Sequence, residues 1–310
     1  MFIENVKDIR NDWWRYFIVG PLIIIFFSQI LGALPVGIGI GIAAAMNGGL
    51  EDISMENSMD IFNVFASKNT GLALLLLIFA IGLLGIYITV KYLHGQSFKS
   101  LTTSRKKVDY SRILYSFTLI SVVIVSTFFI DYFINPSNYE LNFNFNKFLV
   151  LLLVCLTLLP MQTSFEEYLC RGYLLQGIGI VTKSRALAFT IPSILFGLLH
   201  FANPEIDKLG NFFMIYYIII GFALGVVTLM DEGLELALGW HYANNFAAAL
   251  LVSADWSAIQ TDAVFTYIAE PEMSTEILLS TVLFSIIIYH FSIKYKWSGW
   301  KEKLFGKVII

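Results

Sequence analysis

The chain has 310 residues, of which 57% are hydrophobic and only 14% charged. A water-soluble domain carries about 25% charged residues, so there is too little polar side chain to coat a globule of this size. The net charge of −3 gives no basic bias toward nucleic acid. The two cysteines, Cys155 and Cys170, form neither a disulfide framework nor a metal-binding spacing, and are expected to stay reduced.

A helix needs about 20 apolar residues to cross the hydrocarbon core. Stretches free of Lys, Arg, Asp and Glu run Tyr16–Leu50, Asn69–Val90, Ile113–Ile130, Phe148–Phe165, Ala186–Pro204, Leu209–Met230, Leu236–Ala254 and Ile277–Ile293. They predict an all-α polytopic membrane protein of about eight transmembrane helices. The first stretch is too long for a cleavable signal peptide. It also contains Pro21 and Pro35, so a kink or an extra interfacial turn is expected there. The two longest outer segments, Asn47–Lys68 and Ser253–Glu276, are acidic and read as solvated connectors.

With the N-terminus inside, every lysine and arginine except Lys68, Lys147 and Lys208 falls on an inner segment. Arg171 is counted there with Lys183 and Arg185. This bias obeys the positive-inside rule and predicts that both termini are cytoplasmic. Trp13, Trp14, Trp256, Trp297 and Trp300 fall at span ends, where amphipathic rings favour the interface.

Ionisable residues inside a membrane are expensive, about 2.5–3.5 kcal/mol each on insertion scales, and are functional suspects by default. One concentrated set occurs. In Ser164-Phe165-Glu166-Glu167-Tyr168-Leu169-Cys170-Arg171, Glu167 and Arg171 stand four apart on a helix and can pair. Glu166 points about 100° away and has no partner in this segment, the setting that produces general bases. The competing reading is a span that ends at Glu166, with all three charges at the interface. Phe196 and His200 are one turn apart in the fifth stretch, and His200 is either functional or a buried structural histidine. His241 and Asn245 share a face of the seventh stretch. They would suit an oxyanion as donors, or serve as interhelical hydrogen-bond glue. His94 and His290 read as incidental.

Together, Glu166-Glu167-x-x-x-Arg171, Phe196-x-x-x-His200 and His241-x-x-x-Asn245 resemble the three signatures of the CPBP family, the type II CAAX prenyl endopeptidases with their bacterial and bacteriocin-immunity relatives. The resemblance covers roughly residues 145–255. It implies three regions: N-terminal transmembrane helices (1–145), a catalytic core (146–255), and a last helix with a basic cytoplasmic tail (256–310). It implies a membrane-embedded endopeptidase in which Glu166 activates water and His200 helps hold it. His241 and Asn245 would stabilise the tetrahedral intermediate, while Glu167, Arg171 and Phe196 give structural support. The substrate would be a peptide or membrane protein, and the setting a bacterial plasma membrane.

The family is often labelled metalloprotease. Glu166, His200 and His241 could serve as a zinc ligand set, but the chain has no His-Glu-x-x-His, and a metal-free glutamate mechanism is an equal alternative. A non-catalytic immunity or scaffold protein would show the same motifs. A proton-coupled transporter predicts two similar halves, whereas the polar residues here crowd into the C-terminal half. Depth poses a problem for the site. His200 lies about 22 Å past Arg185 at 1.5 Å per residue, while His241 lies only about six residues past Glu235. Convergence requires tilted or offset helices, which Pro160, Pro192 and Pro204 would permit.

Overall fold

The computed structural model describes residues 1–47, 64–65, 67–270 and 273–309. The connector 47–68 therefore lies largely outside the described residues. Eight principal helices follow the apolar stretches: α1 (Arg15–Met46), α2 (Lys68–His94), α3 (Tyr110–Ile134), α4 (Phe145–Thr182), α5 (Arg185–Leu198), α6 (Met214–Asp231), α7 (Glu235–Leu251) and α8 (Met273–Lys294). Six of these regions are long and apolar enough to cross a membrane. The exceptions are α5 and α7, with 14 and 17 residues. The protein is an all-α polytopic membrane protein, and among the described residues the strands form one small sheet at one end. Within α1 the regular winding is interrupted by π-helical turns at Arg15–Val19 and Phe26–Leu31.

The fifth stretch departs from expectation. Its helix stops at Leu198, and a second short helix, Pro204–Leu209, begins after a turn. Pro204 sits in the first turn of that short helix, where its missing N–H costs nothing, and Asn203 before it is extended. His200 therefore lies just beyond a helix end rather than within a span.

By contrast, α4 is longer than expected. At 38 residues it measures about 57 Å, well beyond a hydrocarbon core of about 30 Å. Its regular winding breaks at Leu158–Pro160 and again in a π-helical turn, Tyr168–Leu174. The motif Glu166-Glu167-x-x-x-Arg171 sits in the middle of this helix. Glu167 and Arg171 are 0% and 1% exposed, so the span does not end at Glu166. Arg171 thus belongs to the bundle interior and not to the inner basic loop.

The bundle centre is α7, buried on nearly every side. Its polar residues find partners inside the bundle, and small residues let its neighbours approach closely. A Cβ on Gly239 would stand 2.2 Å from the Ile113 carbonyl of α3. The Ser116 hydroxyl of α3 also donates to Leu236 O at 2.7 Å. The α5–α6 crossing works the same way: a Cβ on Gly221 would stand 2.3 Å from Ser193 O, and one on Gly197 would stand 2.4 Å from Ile218.

One end of the bundle is tied by charge. Arg105 bonds Asp231 (2.8 Å) and Glu235 (3.0 Å), and Arg112 bonds Asp231 and Asp109. Trp297 Nε1 donates to Asp231 at 3.1 Å. Arg185 pairs with Glu4, and its backbone N–H donates to Gly306 O. The two ends of the chain thus meet the 95–112 and 231–235 loops at a common face. His94, expected to be incidental, is fully buried here, between Arg10 O (2.7 Å) and the Tyr173 hydroxyl (3.1 Å). His290 pairs with the Tyr115 hydroxyl.

The opposite end carries a sheet of order β1 (Tyr139–Leu141), β3 (Phe265–Tyr267), β2 (Val252–Ser253). Tyr139 faces Tyr267 in the antiparallel β1–β3 pair, and β2 runs parallel to β3. Asp262 takes the Ser67 hydroxyl (2.7 Å) and Lys147 (3.0 Å), while Gln260, Thr261 and Ala263 are buried. The described part of the 253–276 segment is therefore a packed cap and not the expected solvated connector.

Two outcomes follow from this arrangement. Reporter fusions at the C-terminus and within residues 253–270 should be found on opposite sides of the membrane, the C-terminal one cytoplasmic; a shared side would remove the eight-crossing topology. Gly221→Ala forces a Cβ against backbone, an overpacking that typically costs about 1–3 kcal/mol. Its melting temperature in detergent should fall below that of the parent protein.

Candidate active site

The site forms where α4, α5, α6 and α7 meet, and its first element is the pair chosen by helical spacing. Arg171 Nη1 donates to Glu167 Oε1 at 2.8 Å, four residues back on α4. The guanidinium also donates to Gly221 O of α6 at 3.2 Å and lies 4.0 Å from the Phe196 ring centroid of α5. A buried cation is thereby met by a carboxylate, a carbonyl and an aromatic face. Arg171 reaches the α6 backbone where Gly221 carries no side chain.

The same oxygen, Glu167 Oε1, is 2.8 Å from His241 Nδ1 on α7. An ionised carboxylate only accepts, so the His241 proton sits on Nδ1 and the ring turns Nε2 toward Glu166 Oε2, 3.5 Å away. This bears on the expectation that His241 serves as a donor. The neutral ring has one N–H, already given to Glu167, so Nε2 can donate only from the imidazolium.

Glu166 is 16% exposed at its side chain. Its Oε1 accepts from Gln162 Nε2 at 2.5 Å. Its Oε2 is buried, and among the described residues no protein group hydrogen-bonds to it. Asn245 donates from Nδ2 to Gln162 Oε1 at 3.0 Å. His200 Nδ1 bonds its own helix at Phe196 O, 2.7 Å away. A carbonyl can only accept, so Nε2 of His200 is left as an acceptor. The His200 ring also stacks on Tyr217 of α6 at 4.2 Å and 20°.

All seven residues of the three motifs thus meet in one region. Phe196 accounts for how the two histidines converge despite their unequal starting depths. Its ring lies 4.8 Å from that of His200, which folds back from the end of α5, and 5.9 Å from that of His241. Two contributors were missed from sequence. Gln162 was detectable, because it stands one turn before Glu166 on the same helix face. Tyr217 was not, because only the α5–α6 packing brings it to His200.

The geometry agrees with the comparisons to known proteins. Residues 145–247 match the family model described as type II CAAX prenyl endopeptidase Rce1-like. The uncharacterized protein YyaK of Bacillus subtilis (strain 168) is 29% identical over 258 residues, covering 81% of this chain and 82% of that protein. No solved structure matches. Over about a third of its length the chain is similar to the Rce1-like family. The Rce1-like region is the segment that carries all three motifs.

Removing one partner of a buried pair strands a charge, at a typical cost of about 3–5 kcal/mol. Arg171→Ala should therefore lower the yield of folded, monodisperse protein extracted from membranes. Normal yield from a variant lacking function would instead place Arg171 in the chemistry.

Proposed function

We propose that the chain is an intramembrane endopeptidase in which Glu166 activates water to hydrolyse a peptide bond. The observation that most supports this is the buried, unpartnered Glu166 Oε2 beside Nε2 of a histidine that Glu167 and Arg171 hold in place. The two atoms lie 3.5 Å apart, so the carboxylate oxygen and the ring nitrogen face the same point of the site. In this reading Glu166 takes a proton from water as the oxygen adds to the scissile carbonyl. His200 Nε2 accepts the water's second proton in a hydrogen bond, which orients the nucleophile. His241 and the amide of Asn245 stabilise the tetrahedral intermediate. As the C–N bond breaks, Glu166 returns its proton to the leaving nitrogen. The substrate is a peptide or a membrane-protein segment.

Zinc, if bound, would polarise the carbonyl or the water. Glu166, His200 and His241 are of the right donor types for it. Among the described residues, however, no three His, Cys, Asp or Glu side chains converge closely enough to hold a metal ion. The donor set as placed does not fit, and each step above uses the chain's own groups.

A general base contributes about 10²–10⁴-fold and an oxyanion donor about 10²–10³-fold. Glu166→Gln and His200→Ala should abolish detectable cleavage, and Asn245→Ala should leave a measurable residue, while all three proteins still insert. The readout is the membrane peptidome of cells carrying each variant. Cleavage that survives a strong chelator while Glu166→Gln is inactive supports the metal-free route. Loss to chelator with recovery in zinc would replace it. Unchanged cleavage in Glu166→Gln would leave the immunity-scaffold reading.

A further inference from the structure

Taking Glu166 as the base, we propose that Gln162 is a positioning residue that couples the base to the oxyanion side of the site. Gln162 is buried on α4, one helical turn before Glu166, where side chains four apart meet. Both ends of its amide are used. Nε2 donates to Glu166 Oε1 at 2.5 Å, and Oε1 accepts from Asn245 Nδ2 at 3.0 Å. Asn245 Oδ1 in turn accepts from Asn244 Nδ2 at 3.2 Å. Three amides therefore run head to tail from α7 into the carboxylate on α4. Such chains polarise one another. Their direction is set by the carboxylate, which can only accept, so the Gln162 amide has one orientation.

The bond fixes Oε1 of Glu166 and leaves Oε2 as the atom that faces His241. Without it the carboxylate can rotate about its last torsion, which has no strongly preferred setting. The base would then lose its aim, and Asn245 would lose the acceptor that orients its amide. Gln162 thus acts through two residues and touches no reacting atom.

Gln162→Met keeps the length and apolar fit of the side chain and removes both hydrogen bonds. Misplacing a catalytic group by about 1 Å can cost on the order of 10²-fold. We expect kcat to fall about 10–100-fold with KM within about twofold, the pattern of an interaction made in the transition state. On an Asn245→Ala background the same change should cost no more than about threefold further, because residues acting as a unit are not additive. Unchanged kcat, or full multiplication of the two losses, overturns the proposal. If the methionine protein does not fold, Gln162→Glu keeps the shape and the acceptor for Asn245, and parent-level kcat in that variant overturns it equally. A spectroscopic readout separates this proposal from the protease reading. The infrared carboxylate band assigned to Glu166, as the difference between the parent protein and Glu166→Gln, should shift in Gln162→Met. An unmoved band overturns the role of Gln162, while a shifted band in a protein that cleaves nothing supports it and removes only the protease reading.

Discussion

One carboxylate oxygen, Glu167 Oε1, holds the site together: it takes Arg171 on one side and His241 on the other, each at 2.8 Å. In a bundle whose surroundings offer almost no polar groups, a buried guanidinium and a buried carboxylate persist only as partners. The pair therefore ties α4 to α7 through His241, and to α6 through Gly221 O. It also leaves Glu166, the adjacent residue, as the acid that the pairing does not satisfy. The contrast between two neighbouring glutamates follows from helical geometry, because about 100° of rotation turns Glu167 to Arg171 and His241 and turns Glu166 to Gln162.

That linkage depends on helices lying closer than large side chains allow. The absence of a Cβ at Gly221 lets α5 and α6 meet at Ser193, and it leaves the Gly221 carbonyl open to Arg171. Gly239 does the same for α7 against α3. In lipid, where burying apolar surface between helices gains little, such close packing and interhelical hydrogen bonds are the main cohesive terms. Charge enters at one end of the bundle, where Asp231 and Glu235 gather Arg105 and Arg112. It thereby fixes the α6–α7 connection that aims His241.

Much of this was legible in the chain. The scarcity of charge gave the membrane class, and the apolar stretches placed the helices. Spacing of four paired Glu167 with Arg171. What escaped was set by contacts between distant segments. Neither the end of α5 at Leu198 nor the fold-back of His200 onto Phe196 follows from hydropathy, since Leu199 and Phe201 are as apolar as the helix before them. The tautomer of His241 depends on which glutamate it meets, 74 residues away. The 253–270 segment read as solvated because its acidic residues dominate its composition, yet Asp262 is spent on Ser67 and Lys147. His94 looked incidental because nothing near it in sequence announces Tyr173.

The π-helical turn at Tyr168–Leu174 starts directly after the two glutamates and contains Arg171. A π turn accommodates one more residue than the regular helix would. Everything beyond it is therefore out of phase with Glu166 by about 100° relative to an uninterrupted helix. The second half of α4 meets different neighbours from the first: Gly177 packs on Tyr16, Gly179 on Ile3, and Gln176 donates to Phe2 O. The extra residue is thus a phase shifter that lets one helix present Glu166 and Glu167 to the motif cluster with its first half and clasp the N-terminal segment with its second. Shortening the turn by one residue would leave composition and hydropathy almost untouched, yet those two tasks would no longer fall on the faces that perform them.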